Sequence, residues 1–182
     1  MQALKGRNMD NLELIFSRRS VREYSGRQIS DEDLRTILAA GMSGPTCANT
    51  RAWSFLVVRD KEMLNKMADA NGHPAEPLRG ADVGILICGD LERAFPLAKE
   101  YWVIDGAIAG QNMTLAAKAL GIGSVWLGTW PQMDRVEKQR AIFNLPESAV
   151  PHSIIAFGYP AEGAGSEPRQ SYEESRVHFE KW

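Results

Sequence analysis

Arg18, Ser20 and Arg22 stand at alternate positions of one short basic run, Arg18-Arg19-Ser20-Val21-Arg22. Alternate side chains of an extended segment point the same way, so these three can converge on one anion. Guanidinium groups grip phosphate bidentately, and a serine hydroxyl adds a neutral donor. The same run also reads as a solvated basic turn. A second cluster, Gly44-Pro45-Thr46-Cys47-Ala48-Asn49-Thr50-Arg51-Ala52-Trp53, is small and polar and ends in an aromatic. Asn49 offers both a donor and an acceptor to a planar heterocycle. Taken alone, this stretch is more simply a capped connection leading to a core tryptophan. In a third, Gly121-Ile122-Gly123-Ser124-Val125-Trp126-Leu127-Gly128, a terminal glycine lets backbone N–H groups approach a ligand closely. By itself it is also a helix stop followed by a core strand. The fourth is Phe157-Gly158-Tyr159-Pro160-Ala161-Glu162, with Arg169 soon after; alone it is a strand running into a turn.

Other chemistries find no support. A dinucleotide fold needs Gly-x-Gly-x-x-Gly between a strand and a helix. Here Gly121-Ile122-Gly123 precedes a strand, and Trp126 stands where the third glycine belongs. There is no Walker phosphate loop and no Gly-x-Ser-x-Gly nucleophile turn. His73, His152 and His178 are scattered and the two cysteines lie far apart, so metal-site spacing is absent. An enzyme built this way takes its chemistry from a bound cofactor.

The elements that must position these clusters follow from periodicity. Asp10 is placed to cap a short helix striped by Leu12, Ile15 and Phe16. Ser30 with Asp33 resembles a weak capping box, ahead of Leu34, Ile37, Leu38 and Met42 at helical spacing. That helix should stop near Gly44-Pro45. Strands are expected at 55–58, 81–88, 124–127 and 153–157, and helices at 60–70, 101–120 and 133–143. A loop carries Gly72, Pro74 and Pro77. The 101–120 helix is apolar on more than one side, as in a large core or an interface. From Gly158 to Trp182 periodicity is weak. Strands separated by helices imply an α/β or α+β sheet with helices on its faces.

A chain of 182 residues with 44% apolar and 24% charged side chains suits one domain with a good core. The net charge of −2 gives no reason to expect nucleic acid or an anionic membrane as partner. No apolar run approaches the about 20 residues needed to cross a bilayer. Residues 1–9 lack the apolar core of a signal peptide, and Met9 is an alternative start. Cys47 and Cys88 cannot form a disulfide framework and suit a reducing cytoplasm.

The order and spacing of the four clusters resemble the nitroreductase family of flavoproteins, from about Leu12 to Arg169. The family pattern is an Arg-x-Ser-x-Arg/Lys opening, a Pro-Ser/Thr-x-x-Asn-x-Gln-Pro-Trp loop, a Gly-Leu/Ile-Gly-Ser-x-Trp strand and a Gly-Tyr-Pro turn before a late arginine. The resemblance implies an α+β fold of three layers (α/β/α), with a central mixed sheet flanked by helices, in an intertwined homodimer. It implies one FMN-binding domain over 1–182, with 159–182 an arm packed on the partner subunit. Arg18 and Ser20 would hold the FMN phosphate, joined by Arg169; Arg19 would belong to the same cofactor site, and Arg22 would lie by the pyrimidine end of the flavin. Pro45, Thr46, Cys47 and Asn49 would reach the flavin of the other subunit. Trp126, Leu127 and Gly128 would lie by its reactive N5 edge. No side chain is catalytic and no metal is expected. The implied activity is a ping-pong NAD(P)H oxidoreductase, with NADH or NADPH as donor and a nitroaromatic, quinone or similar planar small molecule as acceptor. One departure stands out: Arg51-Ala52 replaces the usual Gln-Pro, so an amide that contacts the flavin ring is missing. Cys47 is more simply a small buried thiol than a redox group.

Three rivals remain at this level. One is a flavin-binding module, a sensor or flavin handler without fast turnover. Another is a family member that dehalogenates or rearranges the flavin. The last is an unrelated α/β domain.

Overall fold

The computed structural model describes residues 9–165, 167–169 and 172–182. Helix α1 runs Met9–Ser17 and already contains Asp10, so that residue is not ahead of the helix as a cap. Helix α2 (Asp31–Met42) is capped as its sequence suggests, with the Ser30 hydroxyl accepting from the Asp33 N–H. The α3 helix (Lys61–Asn71) has Asp60 in the same role, accepting from the Met63 N–H at 2.9 Å. Helices α4 (Trp102–Ala119) and α5 (Met133–Phe143) complete the set.

Strands β1 (Trp53–Val58), β2 (Val83–Asp90), β3 (Gly123–Gly128) and β4 (Ala149–Gly158) form one sheet in the order β1-β2-β4-β3. All the strand pairs are antiparallel. The mixed character expected of the sheet is reduced, among the described residues, to one parallel bridge between Ser20 and Ser124 at the β3 edge.

Alternation along β2 explains the layers. Val83, Ile85 and Ile87 join Ile37, Met113 and Ile155 in a core beneath α2 and α4. Leu86 and Cys88 face the other way, into a core with Leu64, Met67, Leu78 and Ile154 under α3. Gln139 of α5 is buried beside that helix and donates to the Met67 carbonyl at 2.8 Å. The arrangement is therefore helices, sheet, helices. Each fully buried Leu, Ile or Met stabilises the fold by about 1.5–3 kcal/mol relative to exposure.

Two elements differ from the sequence reading for identifiable reasons. β4 begins at Ala149, four residues earlier than expected, because Pro151 and His152 argue against a central strand. The register slips there: Ile87 pairs with Ser153 but Cys88 with Pro151, leaving His152 as an extra, bulged residue. The loop expected around Gly72, Pro74 and Pro77 is a 3-10 stretch, His73–Arg79, in which Pro74 sits where a missing N–H costs little. The 158–182 region is aperiodic as expected, with one 3-10 turn at Glu174–Arg176.

Candidate active site

Arg18 and Arg19 follow directly on α1 and line a cavity of about 130 Å³ at the start of β3, with Gly121, Gly123, Ser124 and Lys118 around it. The backbone fixes this arrangement. The Val21 N–H donates to the Ser124 carbonyl at 2.9 Å, and Ser20 bridges Ser124. Gly123 allows the approach, since a Cβ there would lie 2.8 Å from the Val21 side chain. Among the described residues neither arginine makes an ion pair, and Arg19 Nε is buried with no hydrogen-bond partner. Burial and the neighbouring Arg19 charge push the Arg18 pKa below its usual value. Two crowded guanidinium groups without a carboxylate favour an anion between them.

The far end of β3 is braced and open. Gly128 faces free space, and its carbonyl accepts from Asn71 Nδ2 at 3.1 Å and Arg135 Nη1 at 2.9 Å. Asn71 is fully buried and itself receives a bond from the Thr129 hydroxyl at 2.9 Å. Trp126 lies across α4, where a Cβ on Gly110 would come within 2.2 Å of its ring. His152, aimed by the β4 bulge, meets the indoles of Trp126 and Trp102 edge-on at 6.0 and 5.9 Å. Burial lowers the His152 pKa from 6.5. Leu127 points into the core instead, so only its backbone lies along the strand edge.

The loop after α2 contains a 3-10 turn, Cys47–Asn49, and is strained: Ala48, Asn49 and Arg51 all have positive φ, at 47°, 55° and 52°. Conformations of this kind persist only where surrounding contacts impose them. The Cys47 N–H donates to buried Asp105 Oδ1 of α4 at 2.9 Å, and the Arg51 N–H donates to the Thr46 hydroxyl at 3.0 Å. Asp105 Oδ2 is buried and has no partner among the described residues. Pro45, Asn49 and Arg51 are exposed, while Thr46 and Cys47 are half-buried.

Within one chain these parts are not brought together. Asp105, which holds the loop, and Lys118, which lines the cavity, lie roughly 20 Å apart along α4 at about 1.5 Å per residue. Ser20 and Arg22 are exposed and outside the cavity lining; Arg22 lines a separate surface depression with His73 and Glu76. Arg169 comes close to Arg18, since its N–H donates to the Phe16 carbonyl at 3.1 Å. Sequence reasoning missed Lys118, Asn71, Thr129 and Asp105. Asn71 just before Gly72 has the look of a helix end, and Asp105 the look of an ordinary first-turn acid.

The sequence profile of the nitroreductase family matches residues 15–84 and 73–159. A protein of Methanothermobacter thermautotrophicus, provisionally named an NADH dehydrogenase/NAD(P)H nitroreductase, is 42% identical over 96% of this chain and 88% of its own length. A crystal structure from Bacteroides thetaiotaomicron with the same provisional name superposes with a TM-score of 0.87 at 39% identity, covering 95% of this chain and 98% of that one. The structure of an FMN-dependent nitroreductase from Clostridium difficile gives a TM-score of 0.80 at 27% identity, over 94% and 99% of the two chains.

Proposed function

Since the chain belongs to the nitroreductase family, we propose that it is an FMN-dependent oxidoreductase taking electrons from NADH or NADPH. The acceptor is a planar small molecule such as a nitroaromatic or quinone. The observation that carries this reading is the pairing of two features along one strand. An uncompensated Arg18–Arg19 cavity opens at the start of β3, and an open, braced glycine stands at its end, roughly 17 Å away at about 3.4 Å per residue. A phosphate suits the first, and a flat ring lying against backbone suits the second.

Arg18 and Arg19, with Ser20 and Arg169 nearby, hold the phosphate, and the buried, unpartnered Arg19 Nε supports that fit. Arg22 serves the pyrimidine end, and the Trp126–Gly128 backbone lies along the ring's reactive edge. Bound FMN would supply the electron-transfer chemistry, and the protein would bind and orient it. Donor and acceptor use the same open face in turn, in ping-pong order. No side chain has to act as an acid or a base.

The working unit is a homodimer. Buried residues of α4, such as Gly106, Gly110, Met113 and Ala117, share one face, while Ile104, half exposed at 50%, Ala107 and Ile108 remain on another. A two-fold axis across that face sets the N-terminal half of one α4 beside the C-terminal half of the other. The Pro45–Arg51 loop, with Thr46, Cys47 and Asn49, then meets the partner's flavin, and the 159–182 arm, held to its own chain as far as Arg169, reaches the partner beyond that residue. The two cysteines, both free, support a cytoplasmic setting. Mass spectrometry of the chromophore released from purified protein tests the cofactor. FMN is the expected species; FAD, or no flavin after FMN has been supplied, overturns the reading.

A further inference from the structure

We infer that Lys118, in the last turn of α4, is a further cation for the phosphate of the bound mononucleotide, beside the arginines already placed there, an assignment that rests on the FMN reading. It lines the same cavity as Arg18 and Arg19, reaching it from the end of a different helix. The other lining groups are backbone and small or apolar side chains, with Ser17 and Ser124 as the polar ones; no carboxylate is among them. Among the described residues Lys118 makes no ion pair, whereas Lys66 and Lys138 are engaged by Glu62 and Asp134 on their own helices.

The end of α4 would otherwise oppose an anion, because helix C-termini carry partial negative charge. Here those carbonyls are occupied. The Ala116, Ala117 and Lys118 carbonyls accept from the N–H groups of Leu120, Ile122 and Gly121. The chain turns away at Gly121, whose φ of +73° suits glycine. The ammonium of Lys118 adds positive charge at the one place where the backbone is least favourable to phosphate. Two arginines already balance the formal charge of a monoester dianion; the Lys118 ammonium adds a point charge and further N–H donors from another side of the phosphate.

A lysine in a last helical turn also stabilises its helix modestly through the dipole, so the test must separate the two roles. FMN and riboflavin, which differ only in the phosphate, are titrated into full-length native protein, Lys118→Gln and Lys118→Arg, with thermal unfolding alongside. Lys118→Gln is expected to weaken FMN by about tenfold while leaving riboflavin unchanged, and Lys118→Arg to stay near native. Equal weakening of both flavins, or a lower Tm with native FMN affinity, overturns the assignment and leaves Lys118 as a helix-end residue. Native protein that binds neither flavin overturns the cofactor reading itself, and is distinguishable from either result.

Discussion

At the scale of single residues, Arg18 and Arg22 separate cleanly, since one lines the Arg19 cavity and the other an exposed depression. A charge-assisted hydrogen bond contributes roughly 1.5–3 kcal/mol, so Arg18→Ala should weaken FMN at least about tenfold. Arg22→Ala should instead lower the flavin's reduction potential more than its affinity. Flavin titration and spectroelectrochemistry check the pair; identical behaviour contradicts the division of roles. His152 gives a pH prediction. Its folded-state pKa lies below 6.5, so the native state binds fewer protons than the unfolded chain as pH falls through 6.5. Stability is undiminished above that value and declines below it. Urea unfolding at pH 7.5 and pH 5 should show a loss in native protein that is smaller in His152→Gln. The basic run could be found in the sequence because its five residues are contiguous. Lys118, Asn71 and Asp105 could not, because each gains its role from a segment distant in the chain.

At the scale of elements, α4 organises the site, and glycines set how close its neighbours come. A Cβ at Gly110 would lie 2.2 Å from the Trp126 ring and 3.0 Å from Ile87. Gly110→Ala should therefore destabilise by about 1–3 kcal/mol and displace Trp126, measurable as a lower denaturation midpoint with altered tryptophan fluorescence. A native-like midpoint would show that the contact relaxes freely. The helices and three of the strands follow their apolar periodicity to within about two residues. β4 does not, because it is buried on both faces and its Pro151-His152-Ser153 stretch breaks every simple pattern. Its bulge also aims His152 at Trp126, so the feature that hid the strand belongs to the site. The β1 strand starts two residues early for a local reason: Trp53 and Phe55 stack at 5.0 Å on one face.

At the scale of the whole molecule, the two parts of the proposed site lie at opposite ends of α4, and the proposed dimer is what would bring them together. The C-terminal arm leaves Phe179 at 78% exposure and Trp182 and Tyr172 bare, a heavy apolar load for solvent. A chain ending at Pro160 should lose dimer stability and FMN together, and added FMN should shift full-length monomer towards dimer. Sedimentation with and without FMN checks this; a truncated chain that stays dimeric and yellow would show the arm to be dispensable. This assembly was the part least legible in the sequence. All-round apolarity of residues 101–120 pointed to a large core or an interface, and one chain's core covers only part of that helix. The central claim, an FMN enzyme that passes electrons from a nicotinamide nucleotide to a planar acceptor, is tested most directly by anaerobic stopped-flow absorbance of the FMN-loaded protein. The flavin band should bleach on mixing with NADH or NADPH and return when a quinone or nitroaromatic is added. A band that neither nucleotide bleaches, or that bleaches and is not restored by any planar acceptor, would contradict the account.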